Sequence, residues 1–440
     1  MAEVVGIIIF AFLIALSIAL HELGHFIPAK RFGVKVTEFM IGFGPAMWKK
    51  TKGETTYGFK LIPLGGYVRM IGMLPPSKND PQGYVRATTT GRFATMITDA
   101  RNQSMQEISP GDEDRVFYKL PVRKRVIIML GGITMNLIFA TVLFSIVLVG
   151  IGLPKPSLEV GAVVPCTPSA THPTGATLPS GNCPTGTMAA PASKSDLQRG
   201  DVITAINGMQ SQDWDAVSIQ LRSLAGESVT LVVDRNGVAI PIKMDVAVVQ
   251  RPIYDANGLP TGKLGPSGFV GISPGVQYVP QAWTSVPAYM WDITAASARA
   301  LVSLPLRLYE LVKDTLIGGG ERAIDGPVSV VGVSRLGGDI AAMDQPMVGK
   351  IATFLSLAAS LNLFLALFNL LPILPLDGGH VAGALYEATR RWFAKVRGKP
   401  DPGPADVARL LPIAYVTAIV LVAMGVIVIW ADLVKPISLG

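Results

Sequence analysis

The chain has 440 residues, 50% of them hydrophobic and only 16% charged, with a formal net charge of +7. Its length admits several domains, and its apolar content is high for a soluble protein, so membrane-embedded helices are expected. The positive charge is not a nucleic-acid signature, because it is concentrated beside apolar runs. Lys30 to Arg125 holds 17 basic against 8 acidic residues, and 381–409 holds 6 against 3.

Val4 to Leu20 contains no ionisable side chain. A first span from about Val4 to Ile27 has the length a bilayer needs. It does not read as a cleavable leader, because a basic n-region is missing and a cut would release the histidine motif at its end. That motif is His21-Glu22-Leu23-Gly24-His25. Two histidines four apart share one helix face, so both imidazoles can bind one metal ion. Glu22 beside them is a carboxylate able to take a proton from a metal-activated water. A glutamate at membrane depth costs roughly 3 kcal/mol, which disfavours accidental placement. The alternative is a helix end whose His and Glu simply meet the aqueous interface.

After Lys30 the pattern changes to short alternating pieces, Tyr57-Gly58-Phe59-Lys60-Leu61-Ile62 and Gly66-Tyr67-Val68-Arg69-Met70. They predict a small sheet or hairpin around a Gly65-Gly66 turn. Residues 77–118 are polar and read as a surface insertion of flexible composition. Lys119 to Arg125 forms a basic collar, and Val126 to Ile151 a second span. Asn136 lies inside that run. A buried amide in lipid needs partners, which helix packing supplies on one reading and a substrate backbone or developing oxyanion on the other. Gly131 and Gly132 admit close approach of another segment.

Residues 154–278 read as a soluble, β-rich domain. Arg199-Gly200-Asp201-Val202-Ile203-Thr204-Ala205-Ile206-Asn207-Gly208 predicts a strand ending in a turn. A helix over Trp214 to Leu224 and a hairpin over Val229 to Gly237 come next, with Val160–Val164 and Gly268–Ser273 as further strands. The only two cysteines, Cys166 and Cys183, fall in a Pro-, Thr- and Gly-rich insertion. In an oxidising compartment they can pair; with His172 they would give only three zinc ligands, so His172 reads as a solvated loop residue.

Ala282 to Ile317 is amphipathic and carries Trp283, Tyr289, Trp291 and Tyr309, which suits helices lying at a membrane interface. Interfacial helices are expected over 279–349. A third span runs from Ile351 to Leu371 and meets Asn369-Leu370-Leu371-Pro372-Ile373-Leu374-Pro375-Leu376-Asp377-Gly378-Gly379-His380. Amide-hydrolysing zinc needs three protein ligands and one position for water, and Asp377 offers a third, oxygen ligand. The two prolines predict irregular backbone presenting Asp377, and the two glycines a sharp turn after it. An ordinary helix terminus with a Pro-Gly stop is the alternative. A loop over 395–404 precedes a fourth span from Leu410 to Trp430. The basic loops holding Lys49 and Arg397 are expected in the cytoplasm, leaving the β-rich domain and both termini outside.

Together the two motifs resemble the site-2 protease family of intramembrane zinc metalloproteases, in particular its bacterial regulator-of-sigma-E protease branch. His21, Glu22 and His25 match its H-E-x-x-H, and Leu376-Asp377-Gly378 its L-D-G. Gly132-Ile133-Thr134-Met135-Asn136 matches its G-P-x-x-N, with Ile133 where proline is usual. Pro63-Leu64-Gly65-Gly66-Tyr67-Val68 looks like its glycine-rich loop, and Gly326-Pro327-Val328 resembles a motif before the third span. The second proline after Asn369 stands one place later than in some relatives. The resemblance implies zinc held by His21, His25 and Asp377, with Glu22 as general base. It further implies substrate contacts from Asn136, Asn369, Gly65, Gly66 and Tyr67, the loop adding its strand edge to an extended substrate. Residues 197–208 resemble a PDZ domain, acting either as peptide binder or as steric plug. The implied architecture is an all-α membrane core of four transmembrane helices, with a membrane-associated β-hairpin region and an inserted extracytoplasmic PDZ domain. The implied activity is cleavage of single-span membrane proteins, such as anti-sigma factors, after a first outside cut, at the inner membrane. A catalytically inactive PDZ-bearing scaffold or sensor is the competing class, and nucleic acid is not an expected partner.

Overall fold

The computed structural model describes residues 2–76, 92–168, 177, 181–254, 260–317, 322, 326–343 and 345–436. His172 and residues 77–91 of the polar insertion lie outside these. The chain divides into two compact units, Met1–Gly150 with Ala282–Gly440, and Ile151–Gln281.

The larger unit begins with α1 (Ala2–Arg31), a single helix that absorbs Pro28 in its last turns and runs beyond the expected end at Ile27. Two long strands come next, β1 (Val36–Lys52) and β2 (Thr55–Met70), paired antiparallel with several register shifts. Here the sequence expectation needs correction. The reversal falls at Lys52–Thr55, where Gly53 has φ 66°, and Gly65 and Gly66 lie inside β2. The sheet curls: Glu38–Ile41 is flanked on one side by Gly66–Arg69 and on the other by Thr56–Phe59. Residues 92–106, expected as part of a flexible insertion, form helix α2 (Arg92–Gln106).

Helix α3 (Val122–Ser145) ends in a π turn, Ile146–Ile151. Arg125, read as part of a basic collar, is instead buried and paired with Glu387.

In the smaller unit the strands are β3 (Leu153–Val163), β4 (Val202–Ile206), β5 (Met209–Gln210), β6 (Ser228–Arg235), β7 (Val238–Asp245), β8 (Ala247–Tyr254), β9 (Pro260–Phe269) and β10 (Ile272–Val279). One sheet has the order β10-β3-β4-β6-β7 with β5 on β4, and β8 pairs β9 separately. Helix α4 (Trp214–Ser223) is capped by Asp213, whose side chain accepts from Ala216 N. The turns after β4 and β6 are Asn-Gly pairs, Asn207-Gly208 and Asn236-Gly237, all at positive φ as a tight hairpin requires. Residues 268–273 are not one strand: Gly271 at φ 88° divides β9 from β10. Val160, Ile203, Ile206, Leu231, Val233 and Leu221 are among the residues that fill the core. Cys166 and Cys183 are joined as a disulfide.

Back in the larger unit, α5 (Ser285–Val312) continues through a π turn to Ile317, and α6 (Val330–Ala342) comes after it. The latter lies flush along α1, so close that a Cβ on Gly6 would come within 2.3 Å of the Gly337 carbonyl oxygen. Helix α7 (Met347–Asn369) leads into a short turn with a cis Leu374–Pro375 bond. Helix α8 (Asp377–Val396), an element not foreseen in the sequence, precedes α9 (Leu411–Val434). Among the described residues four helical segments are long and apolar enough to cross a membrane: Val4–Arg31, Val122–Ile151, Met347–Asn369 and Val407–Val434. This is a helical membrane core with sheet attached.

Candidate metal centre

His21 and His25 lie one turn apart in α1 and project the same way. Their Nε2 atoms are 3.3 Å apart. Asp377 Oδ2 is 3.2 Å from each of them. Four ligands about 2.0–2.1 Å from a tetrahedral ion lie about 3.3 Å from one another, so this triangle has the size of a zinc face. Among the described residues these three form the one group of His, Cys, Asp and Glu able to hold a metal ion. Asp377 Oδ2 and His21 Nδ1 are buried without a hydrogen-bond partner. An orphaned carboxylate oxygen aimed between two imidazole nitrogens is costly unless a cation sits there. The donor set therefore fits zinc.

The surrounding chain explains why the site takes this form. His25 Nδ1 lies 2.8 Å from the Ile128 carbonyl oxygen; donating there leaves the Nε2 lone pair free on the side of His21 and Asp377, where a metal would bind. The Gly131-Gly132 pair on α3 meets α1 where close approach was expected. A Cβ on Gly131 would lie 2.0 Å from the Gly24 carbonyl oxygen, and one on Gly132 would lie 2.3 Å from His25 Nε2. Only glycine lets α3 form this wall of the site.

Asp377 is presented differently from expectation. It is the first residue of α8, not part of an irregular stretch, and its two following glycines are helical. Their role is packing: a Cβ on Gly378 would meet the Leu371 carbonyl oxygen at 2.3 Å, and one on Gly379 the Leu374 nitrogen at 2.6 Å. The prolines end α7, and the α8 first turn folds back over that end.

Glu22 is only 8% exposed and interacts electrostatically with His21, His25 and Asp377. Gly66 of β2 lies against it, since a Cβ there would be 3.1 Å from Glu22 Oε1. Asn136 lies one turn beyond Gly132 on α3, is 1% exposed, and has both amide atoms unpartnered among the described residues. Asn369 is the partly exposed last residue of α7. Gly65, at φ 142°, packs on the Phe43 ring instead. The Tyr67 hydroxyl donates to Glu38 at 2.5 Å and accepts from Lys60 at 2.8 Å, so it is committed within the sheet.

One relationship escaped the sequence reading. The Glu387 side chain is fully buried on α8 and pairs with Arg125 of α3 at 2.5 Å. It also accepts from the Ala405 backbone nitrogen at 2.9 Å. The signal was present: Val381, Ala384 and Glu387 recur at helical spacing, so a helix was readable where no element was assigned.

A family model described as peptidase family M50 matches residues 9–400, a range that includes all four central groups. The chain is 34% identical to the zinc metalloprotease Rip1 of Mycobacterium tuberculosis, over 100% of both chains. It is 32% identical to the zinc metalloprotease Rip1 of Mycolicibacterium smegmatis, over 99% of this chain and 98% of that one. It is 24% identical to the zinc metalloprotease RasP of Shouchella clausii, over 98% and 99% respectively. With the triangle of donors in place, the chain belongs to peptidase family M50, the site-2 protease family, and is a zinc metalloprotease.

Proposed function

We propose that the protein is an intramembrane endopeptidase that cuts single-span membrane proteins within or beside their spans. The observation that carries this is the donor triangle of His21, His25 and Asp377, with Glu22 beside it, on helices of membrane-spanning character. These three side chains would hold the zinc ion. Zinc supplies Lewis acidity there, acidifying a water and polarising the scissile carbonyl. Glu22 accepts the proton of the attacking water and returns it to the departing amide nitrogen, so one water is added across one peptide bond. Asn136, with both amide atoms free among the described residues, holds the substrate carbonyl as charge develops on it.

A helical substrate has its amides hydrogen-bonded internally and must be unwound before attack. Gly66–Met70 of β2 pairs on one side with Val36–Ile41, and Gly66 adjoins Glu22. The other edge of that segment receives the unwound substrate by strand addition. Asn369, Gly65 and Tyr67 support this surface from further off.

The β-rich unit is a PDZ module on the extracytoplasmic side, a reading supported by the Arg199–Gly208 motif at β4 and by the following α4. The enzyme's substrates are of anti-sigma-factor type, trimmed outside by another protease before this one releases a cytoplasmic fragment. Both termini face outward at the cytoplasmic membrane, and the basic loops face in. Purified protein should cleave such a substrate in nanodiscs, stop on zinc chelation and recover on zinc addition. Cleavage unaffected by a chelator that has removed the metal overturns the reading. Labelling of single cysteines placed at 49 and 397 tests the orientation, and labelling from outside inverts it.

A further inference from the structure

Helix α8 has two unlike faces. Val381, Ala384 and Glu387 are buried. Leu385, Tyr386, Trp392, Phe393 and Val396 are 46–65% exposed. With Thr389 between them, these recur every three or four residues and form one continuous stripe. The last part of the helix and its exit carry four basic residues from Arg390 to Arg397, with Lys399 the fifth, and no acidic one.

Two of these are engaged internally. Arg390 donates to the carbonyls of Pro402, Gly403 and Pro404, and Arg391 pairs with Glu387 at 3.1 Å and Asp401 at 3.5 Å. Lys395, Arg397 and Lys399 are exposed and form no ion pair among the described residues. The Arg397 guanidinium lies over the Phe393 ring, 5.8 Å from its centroid. Beside it runs a groove of ≈ 430 Å³ lined by Tyr386, Thr389, Phe393, Ala394, Arg397 and Lys399.

We propose that this groove is a binding site for one anionic phospholipid. Its phosphate sits between Arg397 and Lys399, and an acyl chain lies along Tyr386 and Phe393. Charge chooses the occupant: the nearby acids Glu387 and Asp401 pair with Arg391, which leaves Arg397 and Lys399 as cations outside any ion pair among the described residues; these call for an anion, and a guanidinium presents phosphate with a planar fork. The apolar stripe chooses its other half, because an acidic peptide or a free phosphate leaves Tyr386, Phe393 and Val396 in water. A chain with four membrane-length helices also meets such lipids at high local concentration. The site does not depend on the metal chemistry, so either can fail without the other.

The test uses full-length protein in nanodiscs of phosphatidylcholine with and without phosphatidylglycerol. Native mass spectrometry after release counts retained lipid of each kind. Wild type should keep phosphatidylglycerol in preference. The double variant Arg397→Gln, Lys399→Gln should weaken that retention about thirtyfold, each charge contributing about fivefold. Phe393→Ser should weaken it independently of charge. Zinc content and cleavage in pure phosphatidylcholine should match wild type in both variants. Equal retention of the two lipids by wild type overturns the proposal, as does undiminished preference in the double variant. Displacement of the lipid by inorganic phosphate alone shows a free-anion site and overturns it too. Binding of an acidic protein that needs Arg397 but no lipid points to a protein-docking surface and does the same.

Discussion

Gly132 of α3 lies directly against the imidazole of His25, with room for a hydrogen and nothing more. A Cβ at that position would stand 2.3 Å from His25 Nε2 and 2.7 Å from His21 Cε1. The rings cannot both keep their places in the donor triangle if that carbon is present. Gly132→Ala should therefore weaken zinc binding by at least the roughly 10–100-fold typical of disturbed supporting residues. Competition against a chelator of known affinity measures it. Unchanged zinc affinity would mean that α3 shifts freely and does not shape the site.

Glu22→Gln separates base from ligands. It keeps the shape and a carbonyl oxygen but removes the proton acceptor. Zinc should stay at one equivalent, while cleavage falls by about 10²–10⁴. Elemental analysis beside a single-turnover assay decides the matter. Loss of zinc makes Glu22 a ligand, and normal cleavage moves the base elsewhere.

Arg125 and Glu387 are both buried and pair at 2.5 Å, joining α3 to α8. Removing Arg125 leaves the buried Glu387 with only the half-exposed Arg391 as a charged partner, at 3.1 Å, so the cost should approach the about 3–5 kcal/mol of a stranded buried charge without reaching its upper end. Arg125→Leu should lower the thermal midpoint in detergent markedly. The double variant Arg125→Leu, Glu387→Leu should recover part of the loss, because the stranded charge is gone. A single variant as stable as wild type would show that the pair is not what joins the helices.

In the β-rich unit, Asp201 is 1% exposed and receives two hydrogen bonds from Arg235, at 2.7 and 2.8 Å. Those bonds, with a third from the Gln198 nitrogen, hold its carboxyl below the usual carboxylate value. The ionised form is favoured by folding, so its stabilisation is full above the unfolded-state value of about 3.9 and is lost as pH falls through the folded value. Hydrogen exchange across β4 should be better protected at neutral pH than at about pH 3, after correction for intrinsic rates. Asp201→Asn should cost about 1.5–3 kcal/mol at neutral pH and flatten that acid dependence. A variant with the wild-type acid profile would rule the pair out as its source.

The sequence carried the chemistry better than the geometry. His21, Glu22 and His25 share a helix, so a spacing of four was enough to place two candidate donors together. Asp377 was recognisable by its motif, but not its setting at the head of a helix. Two glycines in a row read equally well as a sharp turn and as close packing, and only the Leu371 and Leu374 backbone beside them decides between the two. The Gly65-Gly66 pair misled for the same reason: the hairpin turns at Gly53, and Gly66 serves contact with Glu22. Arg125 looked like one more member of a basic collar because its partner, Glu387, is far away in the chain and within a segment given no element in the sequence. Strand pairing and buried ion pairs are long-range facts, and local pattern does not encode them.

Almost the whole chain separates His25 from Asp377. A polypeptide still emerging from the ribosome, with its first two spans inserted, has the base and two of the proposed ligands but no third. The set closes only when α7 has entered the membrane and α8 has begun to fold. A product truncated anywhere before Asp377 should therefore lack the complete donor set, however well its first two helices fold.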